Sequence, residues 1–151
     1  LVRSRGLGDV YKRQMSDRHI CIVDDDEDDI FLMSASLKRL ETKTMLRFRV
    51  STFFSGEDAL SFFTNAGEDM QHIPDCICLD INMPGITGLE LLSKLRQMRY
   101  LADVPIYIVS TTKNNRTHQQ ALSSGANGTF AKPDSMLGMQ KLQRELLGIP
   151  E

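Results

Sequence analysis

Apolar residues along the chain follow two different spacings. Short apolar runs bounded by turn-forming residues indicate buried strands, and the segments between them repeat apolar residues at helical spacing. The runs predict strands at residues 19–23, 46–54, 75–79, 106–109 and 129–131. The helical spacing predicts helices at residues 30–40, from residue 55 onward, and at 89–98, 113–124 and 136–147.

Five strands that alternate with five helices predict an α/β protein with a parallel sheet and helices on both faces. The chain has 151 residues, 41% of them hydrophobic and 25% charged, which is typical of one globular domain. The apolar runs are too short to span a membrane. The net charge is −2, and no basic block lies beyond the extreme N-terminus, which argues against direct nucleic-acid binding.

Residues 1–14 (LVRSRGLGDVYKRQ) differ from the rest of the chain. They contain no apolar core of a signal peptide. Their end resembles a translated sequencing adapter joined in frame, so we expect a non-native, disordered leader before a start at Met15 and a domain over residues 15–151. The alternative is a basic arm that binds an acidic partner.

The chain has three cysteines, Cys21, Cys76 and Cys78. An odd number without a secretory signal indicates a reducing compartment, and we expect the cytoplasm. Cys76 and Cys78 lie two residues apart in a predicted strand and therefore share one face. They could form a metal or redox site, but free cysteines are more often small buried hydrophobic residues.

Polar residues that could take part in catalysis or ligand binding follow four of the predicted strands. Asp24 and Asp25 follow the first, Asp80 the third, Ser110 the fourth and Lys132 the fifth. In a doubly wound sheet, ligands bind outside the carboxyl ends of the strands, where the strand order reverses. If the order is 2-1-3-4-5, the first and third strands are neighbours, and the three aspartates converge.

Three converging carboxylates need a counter-charge. At about 5 Å and an effective dielectric constant near 20, each ionised pair repels by about 3 kcal/mol. Mg²⁺ suits such oxygen ligands, and Lys132 would add a second positive charge. Carboxylates, Mg²⁺ and lysine together meet the needs of phosphoryl transfer, in which an aspartate can be the nucleophile. Taken singly, the same residues could be helix caps, turn formers or solvated loop residues, and residues 26–29 are interpreted as helix caps.

The sequence resembles the receiver domain of bacterial two-component response regulators, the CheY-like superfamily. The matching stretches are IVDDDEDD (residues 22–29), CLDINMPGITGLELL (78–92), VPIYIVSTT (104–112) and GANGTFAKP (125–133). The resemblance implies a flavodoxin-like fold with strand order 2-1-3-4-5. The most similar subgroup is the stand-alone regulators of the phytochrome type.

The resemblance also implies roles for individual residues. Asp80 would be the phosphoacceptor and also a ligand of Mg²⁺. Asp25 would bind Mg²⁺ directly and Asp24 largely through water, and Asn82 would offer its backbone carbonyl oxygen. Ser110, Thr111 and Lys132 would bind the phosphoryl group.

Two further expectations concern the fifth strand and the loop after it. The Lys132–Pro133 peptide bond would be cis, as is usual in the family. Many receivers carry an aromatic residue three positions before the lysine, as part of their switch, whereas this chain has Thr129 there. Phe130 is adjacent but points to the opposite face of a strand. The aromatic part of the switch is therefore expected to be absent.

The expected function is that of a single-domain response regulator. It would accept a phosphoryl group from a sensor histidine kinase or phosphotransfer protein. It would signal to a downstream protein through the face formed by helix 113–124, strand 129–131 and helix 136–147, and it could also form a homodimer. It would catalyse only its own phosphorylation and dephosphorylation. The alternatives are a receiver-like module that is not phosphorylated and a haloacid-dehalogenase-type phosphatase, although Asn82 stands where that enzyme class has a second aspartate.

Overall fold

The computed structural model describes residues 17–67, 69 and 73–151, so the expected leader at residues 1–14 lies outside the described residues. The strands are β1 (Asp17–Val23), β2 (Arg47–Phe53), β3 (Cys76–Leu79), β4 (Ile106–Ser110) and β5 (Gly128–Ala131). The helices are α1 (Glu27–Lys43), α2 (Gly56–Ala66), α3 (Gly88–Arg96), α4 (Asn115–Ser123) and α5 (Met136–Leu147), with a 3-10 turn at Arg99–Leu101. Within the described part of the chain, no helix is both long and apolar enough to cross a bilayer.

The five strands form one parallel sheet in the order β2-β1-β3-β4-β5, which confirms the predicted topology. At the end of β1, Val23 is paired with Phe53 of β2 on one side and with Leu79 of β3 on the other. The N–H of Asp80 continues this pairing and donates to the carbonyl oxygen of Val23 at 2.9 Å. The residues that follow β1 and β3 are therefore neighbours at the carboxyl edge of the sheet.

Each face of the sheet supports its own apolar layer, because successive strand side chains point to opposite faces. Cys21 packs in the layer under α2, α3 and α4. Cys76 and Cys78 pack together in the layer under α1 and α5, which confirms that they share a face. All three thiols are free and buried. A hydrogen bond with Cys78 and burial hold the pKa of Cys76 well above its usual range, which disfavours the thiolate that metal or redox chemistry requires.

Helix boundaries depend on polar side chains at the ends. Asp26 caps α1 by accepting from the N–H of Asp28, so the helix begins at Glu27, ahead of the apolar stripe that predicts it. α3 ends at Arg96, two residues before the predicted end. The Arg96 guanidinium donates to the carbonyl oxygens of Leu101, Ala102 and Val104, and these bonds stabilise the 3-10 turn instead of another helical turn.

Candidate functional site

Two adjacent aspartates follow β1 in different environments. Asp24 is 2% exposed, whereas Asp25 is exposed to solvent. The N–H of Asp24 donates to the carbonyl oxygen of Phe53 at 3.0 Å, and its Oδ1 accepts from the N–H of Asp26 at 3.0 Å. These bonds fix the turn from β1 into α1, and they hold Asp24 at the sheet edge.

Asp80 follows β3 and is 6% exposed. Its Oδ1 accepts a hydrogen bond from the N–H of Ile81 at 2.9 Å. The chain then turns back on itself, since the N–H of Gly88 donates to the carbonyl oxygen of Ile81 at 2.9 Å. A Cβ at Gly88 would lie 2.0 Å from the carbonyl oxygen of Asp80, so this approach requires glycine. Asn82 lies in this loop with its side chain exposed.

The structure brings the three predicted aspartates together. One oxygen atom from each of Asp24, Asp25 and Asp80 lies within 4.8 Å of the other two. The convergence follows from the adjacency of β1 and β3. Clustered carboxylates are the hard oxygen ligands that Mg²⁺ prefers, and the exposure of Asp25 leaves room for the water molecules that this ion retains. The ligand set therefore fits a divalent cation.

Lys132 lies among the carboxylates, as its place after β5 predicts. Its Nζ is 2.8 Å from Oδ2 of Asp24, 2.7 Å from Oδ2 of Asp29 and 3.4 Å from Oδ2 of Asp80. The lysine side chain is 9% exposed, so its pairs with Asp24 and Asp80 are shielded from solvent, whereas the Asp29 side chain is 30% exposed. A single ammonium group thus neutralises part of the charge of three acids.

Asp29 is the residue of this network that the sequence analysis assigned only to a helix cap. In the structure it lies in the first turn of α1 and contacts Lys132. A signal was present in the sequence. Asp29 precedes Met33 by four residues and Leu40 by eleven, and both of these residues face the sheet. The helical repeat therefore places Asp29 on the buried stripe of α1.

The network shifts the pKa of two of its members. Burial raises the pKa of Asp24 to about 6, and the charge of Asp80 adds to this, although the hydrogen bonds from Lys132 and from the N–H of Asp26 lower it in part. For Lys132, burial lowers the pKa, but the hydrogen bonds to Asp24 and Asp29 outweigh it and raise the pKa above its usual range. Lys132 is therefore a permanent cation in this site.

The other predicted phosphoryl-binding residues lie at the same edge of the sheet. Ser110 is fully buried and is paired with Ala131 of β5, so it lies beside Lys132. Its Oγ accepts from the N–H of Thr112 at 3.3 Å, and the hydroxyl group thus bonds within its own loop. Thr111 is exposed.

Thr129 and Phe130 point to opposite faces of β5. Thr129 is paired with Ile108, and Phe130 lies against Tyr107 with ring centroids 5.9 Å apart. Phe130 belongs to the apolar layer under α1 and α5. The Phe130 ring therefore packs on that face of the sheet. The position at which many receivers have an aromatic residue is Thr129 in this chain.

The prediction that the Lys132–Pro133 peptide bond is cis is wrong, since the described residues contain no cis peptide bond. The trans form of an X–Pro bond is favoured by about 0.5–1 kcal/mol when nothing else selects the isomer. Nζ of Lys132 reaches Asp24, Asp29 and Asp80 with the bond trans.

Comparison with known proteins agrees with the fold. The family model described as the response regulator receiver domain matches residues 20–143. The two-component response regulator ORR4 of Oryza sativa subsp. indica is 33% identical over 93 residues, which cover 61% of this chain and 40% of that protein. The chain thus spans less than half the length of this relative.

Two solved structures share the fold. The phosphorylated cyanobacterial phytochrome response regulator RcpA has a TM-score of 0.76 at 21% identity, over 90% of this chain and 98% of that one. The Mn²⁺-bound response regulator Rcp1 has a TM-score of 0.74 at 22% identity, over 89% and 97% of the two chains. The family match extends from β1 into α5, and it includes Asp24, Asp80 and Lys132. The chain therefore belongs to the response regulator receiver domain family.

Proposed function

We propose that this protein is a phosphorylatable single-domain response regulator. Asp80 accepts a phosphoryl group from a phosphohistidine of a sensor histidine kinase or a phosphotransfer protein. The observation that carries the proposal is the contact of Lys132 with Asp24, Asp29 and Asp80, because it places a permanent cation beside a buried carboxylate. The RcpA neighbour is phosphorylated, which agrees with this proposal.

The proposed reaction is an in-line phosphoryl transfer. An oxygen atom of the Asp80 carboxylate bonds to phosphorus while the bond between phosphorus and the donor imidazole nitrogen breaks, and the imidazole leaves. Asp25, Asp80 and the backbone carbonyl of Asn82 are the proposed direct ligands of Mg²⁺, and Asp24 would assist largely through water. When bound, this ion neutralises charge on the phosphoryl oxygens. Lys132 donates a hydrogen bond to one of those oxygens.

Lys132 must change partners for this chemistry. Its ammonium group is shared among three carboxylates, and the phosphoryl group on Asp80 adds oxygen acceptors beside it. The 3.4 Å contact with Asp80 is the longest of the three, and a phosphoryl oxygen on Asp80 would take over the ammonium group on that side. Water then hydrolyses the acyl phosphate and resets the site. We propose no turnover of an external metabolite.

The proposed output surface consists of α4, β5 and α5. The Ser110 hydroxyl accepts from the N–H of Thr112, and its recruitment to the phosphoryl group would release that bond. The loop leads directly into α4, in which Ala121 is the one fully buried side chain. A helix with so few apolar contacts shifts at low cost. A downstream protein or a second copy of this chain would bind the shifted surface, without direct nucleic-acid or membrane contact, and Thr129 would contribute no ring.

Hydrogen exchange with beryllofluoride and Mg²⁺ tests this function, since beryllofluoride mimics a phosphoryl group. We expect changed protection in α4 and β5 of the wild-type protein, and none in an Asp80→Asn variant treated in the same way. Changes confined to α1 and α2 would contradict the output surface. Equal changes in the Asp80→Asn variant would contradict the phosphoacceptor. A wild-type protein that does not respond would favour a receiver-like module that is not phosphorylated.

The cytoplasm is the proposed location. The three cysteines are free thiols, which agrees with a reducing compartment.

A further inference from the structure

We propose that Glu57 of α2 is a positioning residue for the cation site. It acts through the loop of residues 81–87, which connects β3 to α3 and carries Asn82. The inference rests on the proposed function, because it assumes that the carbonyl oxygen of Asn82 is a metal ligand. Glu57 itself is not proposed to touch the cation.

The contact is a hydrogen bond between two elements that are distant in sequence. Oε1 of Glu57 accepts from the N–H of Ile86 at 2.7 Å. Glu57 lies in the first turn of α2, two residues after the cap residue Ser55, so its backbone is fixed. The carboxylate therefore ties the part of the loop just before α3 to a rigid helix end.

Glycines on both sides of this contact allow the close approach. Gly85 has a φ of +74°, and a Cβ there would lie 2.2 Å from Oε1 of Glu57. Gly56 faces the loop from α2, and a Cβ there would lie 2.8 Å from the carbonyl oxygen of Ile86. A side chain at Gly56 would displace the loop backbone, and a side chain at Gly85 would displace the Glu57 carboxylate and strain the backbone. The helix end thus approaches the loop backbone closely at Gly56, and the Glu57 carboxylate approaches it closely at Gly85.

The rest of the loop is held by its own backbone and by the core. The carbonyl oxygen of Ile81 accepts from the N–H groups of Met83 and Gly88, and the side chains of Ile81 and Met83 are buried. These bonds fix the two ends of the loop, and Glu57 holds the backbone N–H of the half-buried Ile86 between them. Without Glu57 the segment after Asn82 gains freedom, which spreads the positions of the Asn82 carbonyl oxygen. Groups that orient metal ligands typically contribute 10- to 100-fold to metal affinity.

Isothermal titration of the metal-free protein with Mg²⁺ tests the inference. We expect the Kd of Glu57→Ala to rise by about tenfold. Glu57→Gln keeps an oxygen acceptor for the Ile86 N–H and should bind nearly as tightly as the wild type. Asp58→Ala removes the same charge from the same turn of α2, and it should also bind like the wild type. This control separates the hydrogen bond from a general loss of negative charge.

Amide exchange of Ile86 in the metal-free protein gives a second measurement that does not depend on the cation. We expect faster exchange in Glu57→Ala and unchanged exchange in Asp58→Ala. Equal Mg²⁺ affinity of Glu57→Ala and the wild type would overturn the inference, as would an equal loss of affinity in Asp58→Ala. A wild-type protein that binds no Mg²⁺ would instead contradict the proposed function. Since Glu57 is exposed, the variants are expected to fold.

Discussion

Replacement of Lys132 by methionine should destabilise the metal-free protein by about 3 kcal/mol at pH 7.5. Its Nζ lies 2.7, 2.8 and 3.4 Å from oxygens of Asp29, Asp24 and Asp80. At an effective dielectric constant near 20, each contact is worth roughly 5–6 kcal/mol before the cost of desolvation. Loss of one partner from a buried ion pair costs about 3–5 kcal/mol, because the other charge stays buried. We expect the lower end, since Asp29 is 30% exposed.

The stability lost by Lys132→Met relative to the wild type should become smaller as the pH falls towards 5.5. The pKa of Asp24 is about 6 in the folded chain, above the ordinary value near 4, so the folded chain binds this proton more tightly than the unfolded chain. Protonation of Asp24 at low pH therefore stabilises the folded chain. This contribution to the free energy of unfolding is lost as the pH rises through about 6. Without Lys132 this pKa rises further. The variant accordingly gains more from acidification than the wild type does.

Urea denaturation in the presence of a chelator, followed by circular dichroism, measures both effects. Lys141→Met is the matched control because Lys141 is exposed on α5, and its stability should change by less than about 0.5 kcal/mol. A Lys132→Met loss below about 1 kcal/mol at pH 7.5, or a loss that grows as the pH falls, would refute this account of the network.

Three further predictions concern the cation. Asp25→Ala should weaken Mg²⁺ binding in calorimetry more than Asp24→Ala, because the oxygens of Asp24 already accept from Lys132 and from the N–H of Asp26; the reverse order would count against the proposed ligand roles. The Mg²⁺ affinity of the wild type should fall below pH 6, by at most about tenfold per pH unit, because binding must displace the proton of Asp24; a constant affinity from pH 7 to pH 5 would disagree. Millimolar Mg²⁺ should raise the Tm by relieving the repulsion among the three carboxylates, and an unchanged midpoint at saturating metal would speak against the site.

The elements and their order along the chain are predictable from this sequence because strand and helix spacings alternate, whereas the strand order in the sheet is implied by the resemblance to receiver domains. β3 consists of four buried residues, and a run of this kind fits the interior of a parallel sheet. The strand ends then locate Asp24, Asp80 and Lys132, since parallel strands bring their carboxyl ends to one edge. The convergence of the aspartates follows from topology and needs no knowledge of side-chain conformation.

The details that could not be predicted from the sequence depend on small free-energy differences, on the rotation of one helix about its axis or on the path of one loop. The role of Asp29 depends on how α1 turns its first residues toward β5, which a cap pattern does not specify. The isomer of the Lys132–Pro133 bond depends on a difference of about 1 kcal/mol or less. The bond from the N–H of Thr112 to Oγ of Ser110 depends on the path of the loop after β4. The absence of an aromatic switch at Thr129 stays a prediction.

The central claim is that Asp80 accepts the phosphoryl group, and mass spectrometry of the protein after treatment with acetyl phosphate and Mg²⁺ tests it most directly. We predict one added phosphoryl group on the wild type, mapped to Asp80, and none when a chelator removes the cation. Asp134→Asn removes an exposed carboxylate two residues after Lys132 and should be labelled like the wild type. Asp80→Asn should not be labelled. Labelling of Asp80→Asn to the extent of the wild type would contradict the claim.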